Sequence, residues 1–99
     1  MRITETQRAA ILDSVMETFG TDAVVRLFGS RADDSKRGGD IDLYVEVNHD
    51  IPDARAKIAA VYTKICSKLG DELPIDIILK EADAPVRPIH TEGMKGVRL

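Results

Sequence analysis

The sequence has little of several residue types, and each shortage excludes a class of protein. Its 99 residues include one cysteine, Cys66, so neither an internal disulfide nor a cysteine-based zinc cluster can form. Two tyrosines, two phenylalanines and no tryptophan leave few aromatic surfaces for stacking nucleic-acid bases. No apolar run approaches the roughly 20 residues of a membrane span, and the first residues lack a signal peptide's apolar stretch. We therefore expect a reduced, cytoplasmic protein without membrane association.

The charges of the chain are nearly balanced, with 14 Lys and Arg residues against 17 Asp and Glu residues. Proteins that coat nucleic acid usually carry a strong basic excess, so we expect no direct nucleic-acid partner. We expect one domain over residues 1–99, and a domain of this size buries only about 60–65% of its unfolded surface. Function is therefore expected on an open face, in a shallow groove or at a contact with a partner.

The hydrophobic pattern predicts alternating helices and strands. A capping box formed by Thr4 and Gln7, followed by apolar residues at three- and four-residue spacing, predicts a first helix over residues 5–19. Apolar and β-branched residues at 23–28 predict a short buried strand that stops at Gly29. The polar stretch that follows is expected to form a loop with one helical turn at its start.

The most regular strand pattern lies between Asp40 and Val47, where apolar and polar residues alternate. The apolar face carries Ile41, Leu43, Val45 and Val47, and the acidic face carries Asp40, Asp42, Tyr44 and Glu46. Beyond this strand, Pro52 suits the first turn of a second helix that ends at Gly70. Residues 75–79 predict a third strand.

The tail, residues 81–99, is expected to be irregular, with a short extended piece at 96–99. It contains the helix- and strand-breaking residues Pro85, Pro88, Gly93 and Gly96. His49 in a turn and His90 in the tail are expected to lie on the surface. The whole pattern predicts an α/β (α+β) fold, a small mixed β-sheet with helices on one face and the carboxylates on or near the other.

Three aspartates in predicted strands need a physical explanation, because strands disfavour aspartate. Asp40 and Asp42 stand two residues apart, so their side chains share a face roughly 6–7 Å apart. Asp76 stands near the start of the third strand. If the two strands are neighbours, the three carboxylates converge and repel unless a cation such as Mg²⁺ neutralises them. Taken singly, Asp40 also suits a turn and Asp76 a solvated strand edge.

The turn after the first strand has the composition of a phosphate-binding loop. Gly29 lets backbone N–H groups approach an anion, the hydroxyl of Ser30 adds a donor, and Arg31 adds a positive charge. A glycine and a serine after a strand are a weak signal when they occur alone. Their combination with Asp40 and Asp42 on the next strand is much stronger, and it indicates a site for a metal ion and a phosphate.

These residues resemble the signature of a known family. Leu27–Ala32, the nine residues from Arg31 to Gly39, and the run Asp40–Leu43 look like the signature of the DNA polymerase β-type nucleotidyltransferase superfamily. The short chain and its Phe-Gly-Ser-Arg-Ala segment are similar to the minimal nucleotidyltransferase branch, the antitoxin partners of HEPN-domain toxins. Residues 74–79 match the strand of the third carboxylate, and residues 92–99 match the ending common in that branch.

The resemblance implies a role for each matched position. Gly29 and Ser30, together with the adjacent arginine, would hold the triphosphate of ATP, and Asp40 and Asp42 would bind two Mg²⁺ ions. Asp76 would complete the second metal site and help to activate the attacking hydroxyl. It also implies transfer of AMP from ATP to a tyrosine hydroxyl of the partner toxin, in a type VII-like toxin–antitoxin pair that forms a hetero-oligomer.

The chain departs from the family pattern at two places. Asp33 and Asp34 stand where the family usually has a glycine, and Gly39 stands where a serine often precedes the first aspartate. Lys36 and Arg37 in the same loop could offset the two acids, or they are solvated loop bases. Two other functions stay open: a module that neutralises its partner by docking alone, and a nucleotidyltransferase that modifies a small molecule such as an aminoglycoside.

Overall fold

A computed structural model describes residues 3–32 and 40–99 of the chain. Its elements in chain order are α1 (Glu5–Phe19), β1 (Val24–Phe28), a 3-10 turn (Gly29–Ala32), β2 (Ile41–Glu46), α2 (Ala54–Leu69), β3 (Ile75–Lys80), α3 (Pro88–Met94) and β4 (Val97–Arg98). Within these described ranges no helix has the length and apolar character needed to cross a membrane.

The four strands form one mixed sheet in the order β3-β2-β1-β4. Strand β2 is antiparallel to β1 and parallel to β3, and β1 is antiparallel to β4. The parallel pair requires a long crossover connection, and α2 supplies it. The expected small mixed sheet is thus confirmed, with β2 in its interior and β3 at one edge.

One face of the sheet is covered by α1 and α2, and the hydrophobic core lies between them. Three alternate residues of β2, namely Ile41, Leu43 and Val45, are fully buried there. The core also includes Ile11, Val15, Phe19, Val25, Leu27, Val61 and Ile65. Burying a side chain of this size stabilises the fold by about 1.5–3 kcal/mol, so this face carries most of the stability.

The boundaries of the first two helices test the sequence signals directly. The Thr4 hydroxyl accepts a hydrogen bond from the Gln7 N–H at 3.0 Å, and the Gln7 side chain accepts one from the Thr4 N–H at 2.9 Å. The capping box and the helix over residues 5–19 are therefore confirmed. The second helix ends at Gly70 as expected but begins at Ala54, so the placement of Pro52 in its first turn is wrong.

The tail contains a helix that the sequence did not predict. The two predicted helices share one face of the sheet as expected, whereas the unpredicted α3 packs on the opposite face, where its Gly93 meets Tyr44. The ring of Tyr44 points to that face, and a Cβ atom added to Gly93 would lie 2.5 Å from its Cδ2 atom. Glycine at this position lets α3 approach the ring. The short extended piece near the end of the chain is confirmed as β4, where the Leu99 N–H donates to the Val25 carbonyl at 2.9 Å.

Candidate active site

Two carboxylates lie side by side where β1 ends and where β2 and β3 begin. Asp42 of β2 is in register with Asp76 of β3 and with Phe28 of β1. Successive side chains of a strand point to opposite faces, so Asp42 points away from the core that Ile41 and Leu43 enter. Asp40 is exposed and lies directly before β2. The structure thus places the three predicted aspartates at the same end of the sheet.

The three carboxylates influence one another electrostatically. Partial burial raises the pKa of the Asp42 carboxyl above its ordinary value, and the negative charges of Asp76 and Asp40 raise it further. Asp42 is half-buried, whereas the other two aspartates are exposed. The surroundings of Asp42 therefore disfavour its ionised form, and a bound cation would reverse that preference.

The donor set fits a hard divalent cation. All three candidate ligands are carboxylates, which Mg²⁺ prefers over the nitrogen and sulfur ligands typical of zinc. Within residues 3–32 and 40–99, however, no group of three or more metal-ligating side chains is arranged so that it could hold an ion. Asp42 and Asp76 supply a pair in register, and Asp40 stands nearby in the segment leading into β2.

Gly29 lies against the Asp42 side chain. It begins the 3-10 turn after β1 and has a φ of +73°, which side-chain-bearing residues rarely adopt. A Cβ atom at this position would overlap Asp42 Oδ2 and lie 3.3 Å from its Cγ atom. Only glycine therefore combines this backbone turn with the observed carboxylate position. An anion bound to the turn would lie next to the carboxylates.

The remaining loop residues are described only in part. Ser30 belongs to the same 3-10 turn, and Arg31 in that turn is half-buried. The expectations for Lys36 and Arg37, and the two departures from the family pattern between residues 33 and 39, fall outside the described residues.

Tyr44 occupies the middle of the acidic face but is buried beneath α3. Its hydroxyl donates a hydrogen bond to Glu46 at 2.7 Å, and burial together with this bond raises the pKa of the phenol. His90 of α3 meets the ring edge-on, with centroids 6.3 Å apart. The prediction of a surface position for His90 is wrong, because its side chain is only 2% exposed. The Nδ1 atom accepts a hydrogen bond from the Arg87 N–H at 3.0 Å.

Two depressions are lined by residues of the candidate site. The first, which we call the α2–β3 groove, has a volume of about 550 Å³ and includes Asp40 and Asp76 in its lining. The second, the α3 depression, has a volume of about 350 Å³ and includes Phe28, Gly29 and Ile89. Asp40 and Asp76 therefore border one open space, and the Gly29 turn borders the other.

The α2 residues of the groove are functional candidates that the motif did not indicate. Arg55, Ile58, Ala59 and Tyr62 follow the spacing i, i+3, i+4, i+7 and form one stripe of the helix. The same spacing marks a core face and a groove wall, so only the position of α2 relative to the sheet edge distinguishes them.

This arrangement defines a class of protein. A glycine turn after one strand, with paired aspartates on the next two, suits an enzyme that handles a phosphate together with a metal ion. The family model described as a nucleotidyltransferase domain matches residues 9–93. Because this match covers most of the chain, the protein belongs to the nucleotidyltransferase domain family. Comparison with curated proteins and with solved structures gives no match.

Membership in this family agrees with the fold and with the donor set. Its members generally use a nucleoside triphosphate and a divalent metal ion. The observed sheet and three helices are consistent with a nucleotidyltransferase-like fold. Family membership thus supports a general nucleotidyltransferase activity, and the carboxylate end of the sheet is the candidate active site.

Proposed function

We propose that this protein is a metal-dependent nucleotidyltransferase that moves AMP from ATP onto a tyrosine hydroxyl of a HEPN-domain toxin, and so acts as an antitoxin. The observation that carries the transferase part is the register of Asp42 with Asp76 beside the Gly29 turn. The identity of the acceptor rests on the resemblance of Phe28–Ala32 to the minimal nucleotidyltransferase branch.

The proposed reaction is an in-line displacement at the α-phosphorus of ATP. The tyrosine oxygen forms a new bond to the α-phosphorus, and the bond from that phosphorus to the oxygen bridging the β-phosphate breaks. Pyrophosphate leaves with that bridging oxygen. The phenol proton passes to Asp76, which is exposed at the sheet edge, and from there to water. The products are the AMP–tyrosine ester and pyrophosphate.

The protein contributes position and charge to this step. The backbone at Gly29 approaches the carboxylates closely, so a triphosphate held there is placed next to Asp42. Asp42 and Asp76, with Asp40 nearby, are the residues that would hold divalent cations, and such ions would supply charge stabilisation for the reacting oxygens. The half-buried position of Asp42 keeps its carboxylate oriented by the surrounding sheet, whereas Asp40 and Asp76 remain accessible to the substrate.

The test is transfer of label from ATP to the toxin. Purified protein is incubated with labelled ATP, Mg²⁺ and the toxin, and mass spectrometry locates the modification. We expect an AMP adduct on a toxin tyrosine, and a loss of at least about 100-fold in the rate with Asp40→Ala/Asp42→Ala, because metal-assisted charge stabilisation is removed.

A matched control separates chemistry from a general change in charge. Asp22→Ala/Asp50→Ala removes two exposed aspartates at the opposite end of the sheet, before β1 and after β2, and is expected to keep the full rate. If the double site variant still neutralises the toxin and no adduct forms with any variant, docking is the mechanism and the proposal fails. Label on an aminoglycoside rather than on the toxin would also contradict it.

A further inference from the structure

The α2–β3 groove adjoins the candidate site and has no role in the proposal above. Asp40 and Asp76 line it, and the stripe of α2 that contains Arg55 and Tyr62 forms its wall. Residues 75–77 contribute the rest of its length along β3. A substrate in this groove would therefore lie beside Asp76 at the edge of β3.

The groove follows the open edge of the sheet. Strand β3 is the outermost strand of the described sheet, with β2 on its other side. Side chains of consecutive strand residues point to opposite faces, so a groove touched by Ile75, Asp76 and Ile77 must run along the backbone edge. The N–H and C=O groups at such an edge can pair with an added strand. This geometry suits an extended polypeptide segment.

The side chains of the groove favour the same kind of ligand. Its wall includes Ile58 and Leu73, with the Tyr62 ring beside them. Arg55 is exposed and forms no ion pair with another residue in the described ranges. Asp40 and Asp76 also line the groove and could attract a cationic ligand such as an aminoglycoside, but the α2 wall presents apolar and aromatic side chains and one arginine. A peptide with an aromatic side chain and an acidic neighbour matches this α2 wall.

The position of the groove agrees with the direction of attack. Gly29 follows β1 and lies on one side of Asp42, whereas β3 and the groove lie on the other side. An in-line displacement requires the attacking and leaving oxygens on opposite sides of the phosphorus. With the triphosphate at the Gly29 turn, the acceptor hydroxyl approaches from the β3 side.

We propose that the α2–β3 groove is the acceptor site and binds an extended peptide segment along β3. The aromatic side chain that carries the hydroxyl packs near Tyr62 and reaches towards Asp76, and an acidic residue of the segment pairs with Arg55. This inference rests on the proposed nucleotidyl transfer and adds to it the place where the acceptor segment binds and the residues that select it.

The test uses two short synthetic peptides that each carry one tyrosine, flanked in one by acidic and in the other by basic residues. Each is titrated into the isotope-labelled full chain with Mg²⁺ and a non-hydrolysable ATP analogue, and amide signals are followed by NMR. We expect the acidic peptide to shift the signals of Ile75–Ile77. Arg55→Glu should weaken its binding about tenfold, which corresponds to about 1.4 kcal/mol, and should strengthen binding of the basic peptide.

Lys57→Glu provides the matched control. Lys57 is also an exposed cation of α2, but it lies outside the groove lining. This variant changes the net charge by the same amount and should keep the affinity for the acidic peptide within about twofold, because long-range charge effects are screened at physiological salt. The amide spectrum of each variant verifies that the fold is intact.

Several results would overturn the acceptor site. The first is that Arg55→Glu and Lys57→Glu weaken binding of the acidic peptide equally, and the second is that the peptide shifts only signals of the α3 depression. The third is that neither peptide binds the nucleotide-loaded protein, and the fourth is that an aminoglycoside displaces the peptide. The ATP analogue is titrated separately. A failure of the analogue to shift the Gly29 signal contradicts the proposed transferase site, whatever the peptides do, so the two failures are distinguishable.

Discussion

The two faces of β2 perform different tasks within one strand of six residues. The face towards α1 and α2 carries Leu43 and Val45, both with no exposed surface. On the opposite face, Asp42 is in register with Asp76, and the Tyr44 hydroxyl donates a hydrogen bond to Glu46. That side of the strand therefore makes polar contacts that the core side lacks. The comparison shows that stability is concentrated on one face, which leaves the other free to hold charged groups that oppose folding.

The two faces of the sheet differ in solvent accessibility because helices of different length cover them. Helices of 15 and 16 residues cover the apolar face, whereas the polar face is covered by α3, which has seven. Helix α3 lies over Tyr44 and leaves the Asp42 end of the sheet open on the side of β3. Because α3 is short, the site remains accessible on the polar face while the core on the other face is undisturbed.

The largest effect on stability is expected from the apolar face. Leu43→Ala removes a fully buried side chain and should lower the free energy of unfolding by about 2–5 kcal/mol, because a cavity remains in the core. Urea denaturation followed by circular dichroism measures the change. Val86→Ala, at a side chain that is 59% exposed, should stay within about 0.5 kcal/mol. Equal losses in the two variants would remove the distinction between core and periphery.

An intermediate effect is expected where α3 meets the polar face. Gly93→Ala places a methyl group against the Tyr44 ring and should destabilise the protein by about 1–3 kcal/mol, since the helix must shift. The same denaturation experiment is repeated in a Tyr44→Ala background, where the ring is absent. The glycine substitution should then have little effect. If Gly93→Ala lowers the free energy of unfolding by the same amount in that background, the contact with the ring is not the cause.

The smallest effect, and one of opposite sign, is expected at Asp42. The raised pKa means that the folded protein binds this proton more tightly than the unfolded chain, so ionisation opposes folding. Asp42→Asn should therefore stabilise the metal-free protein at neutral pH, by less than about 1 kcal/mol because solvent screens the half-buried group. Thermal unfolding across a pH series measures the gain.

The same rise in the pKa of Asp42 determines how the stability difference between this variant and the wild type depends on pH. The cost of ionising Asp42 is absent below the ordinary pKa of 3.8 and complete above the raised value, so the advantage of asparagine should disappear in acid. Added Mg²⁺ should favour the wild type over Asp42→Asn, because a ligand that binds the folded state stabilises it. An asparagine variant that is less stable in metal-free neutral buffer would contradict the cost of ionising Asp42 that burial and the neighbouring aspartates impose.

The signals that the sequence carries most reliably are local. The alternation of β2, the capping box at Thr4 and the terminating Gly70 each depend on neighbours within four residues, and each was predicted correctly. The strand that carries Asp76 was also predicted, and its pairing with β2 was posed as a condition that the structure satisfies. The roles of the three aspartates and of the Gly29 turn stay predictions.

The features that were missed depend on contacts between distant residues. Pro88 and Gly93 are helix breakers in isolation, but a proline at a helix start is compatible with the helix, and the glycine is required by the Tyr44 ring. The sequence predicts a surface position for His90 because no residue at a useful spacing could partner it. Its burial results from the docking of α3 on the sheet, which no local pattern records.

The sequence by itself determined the order of the main elements, the composition of the candidate active site, and the family, because spacing and side-chain chemistry are local properties. Only the tertiary structure decided which strand edge stays open, where α3 lies and which groove adjoins Asp76. Those features depend on how α2 and α3 pack against the sheet, and packing is set by the sum of many contacts between residues far apart in the chain.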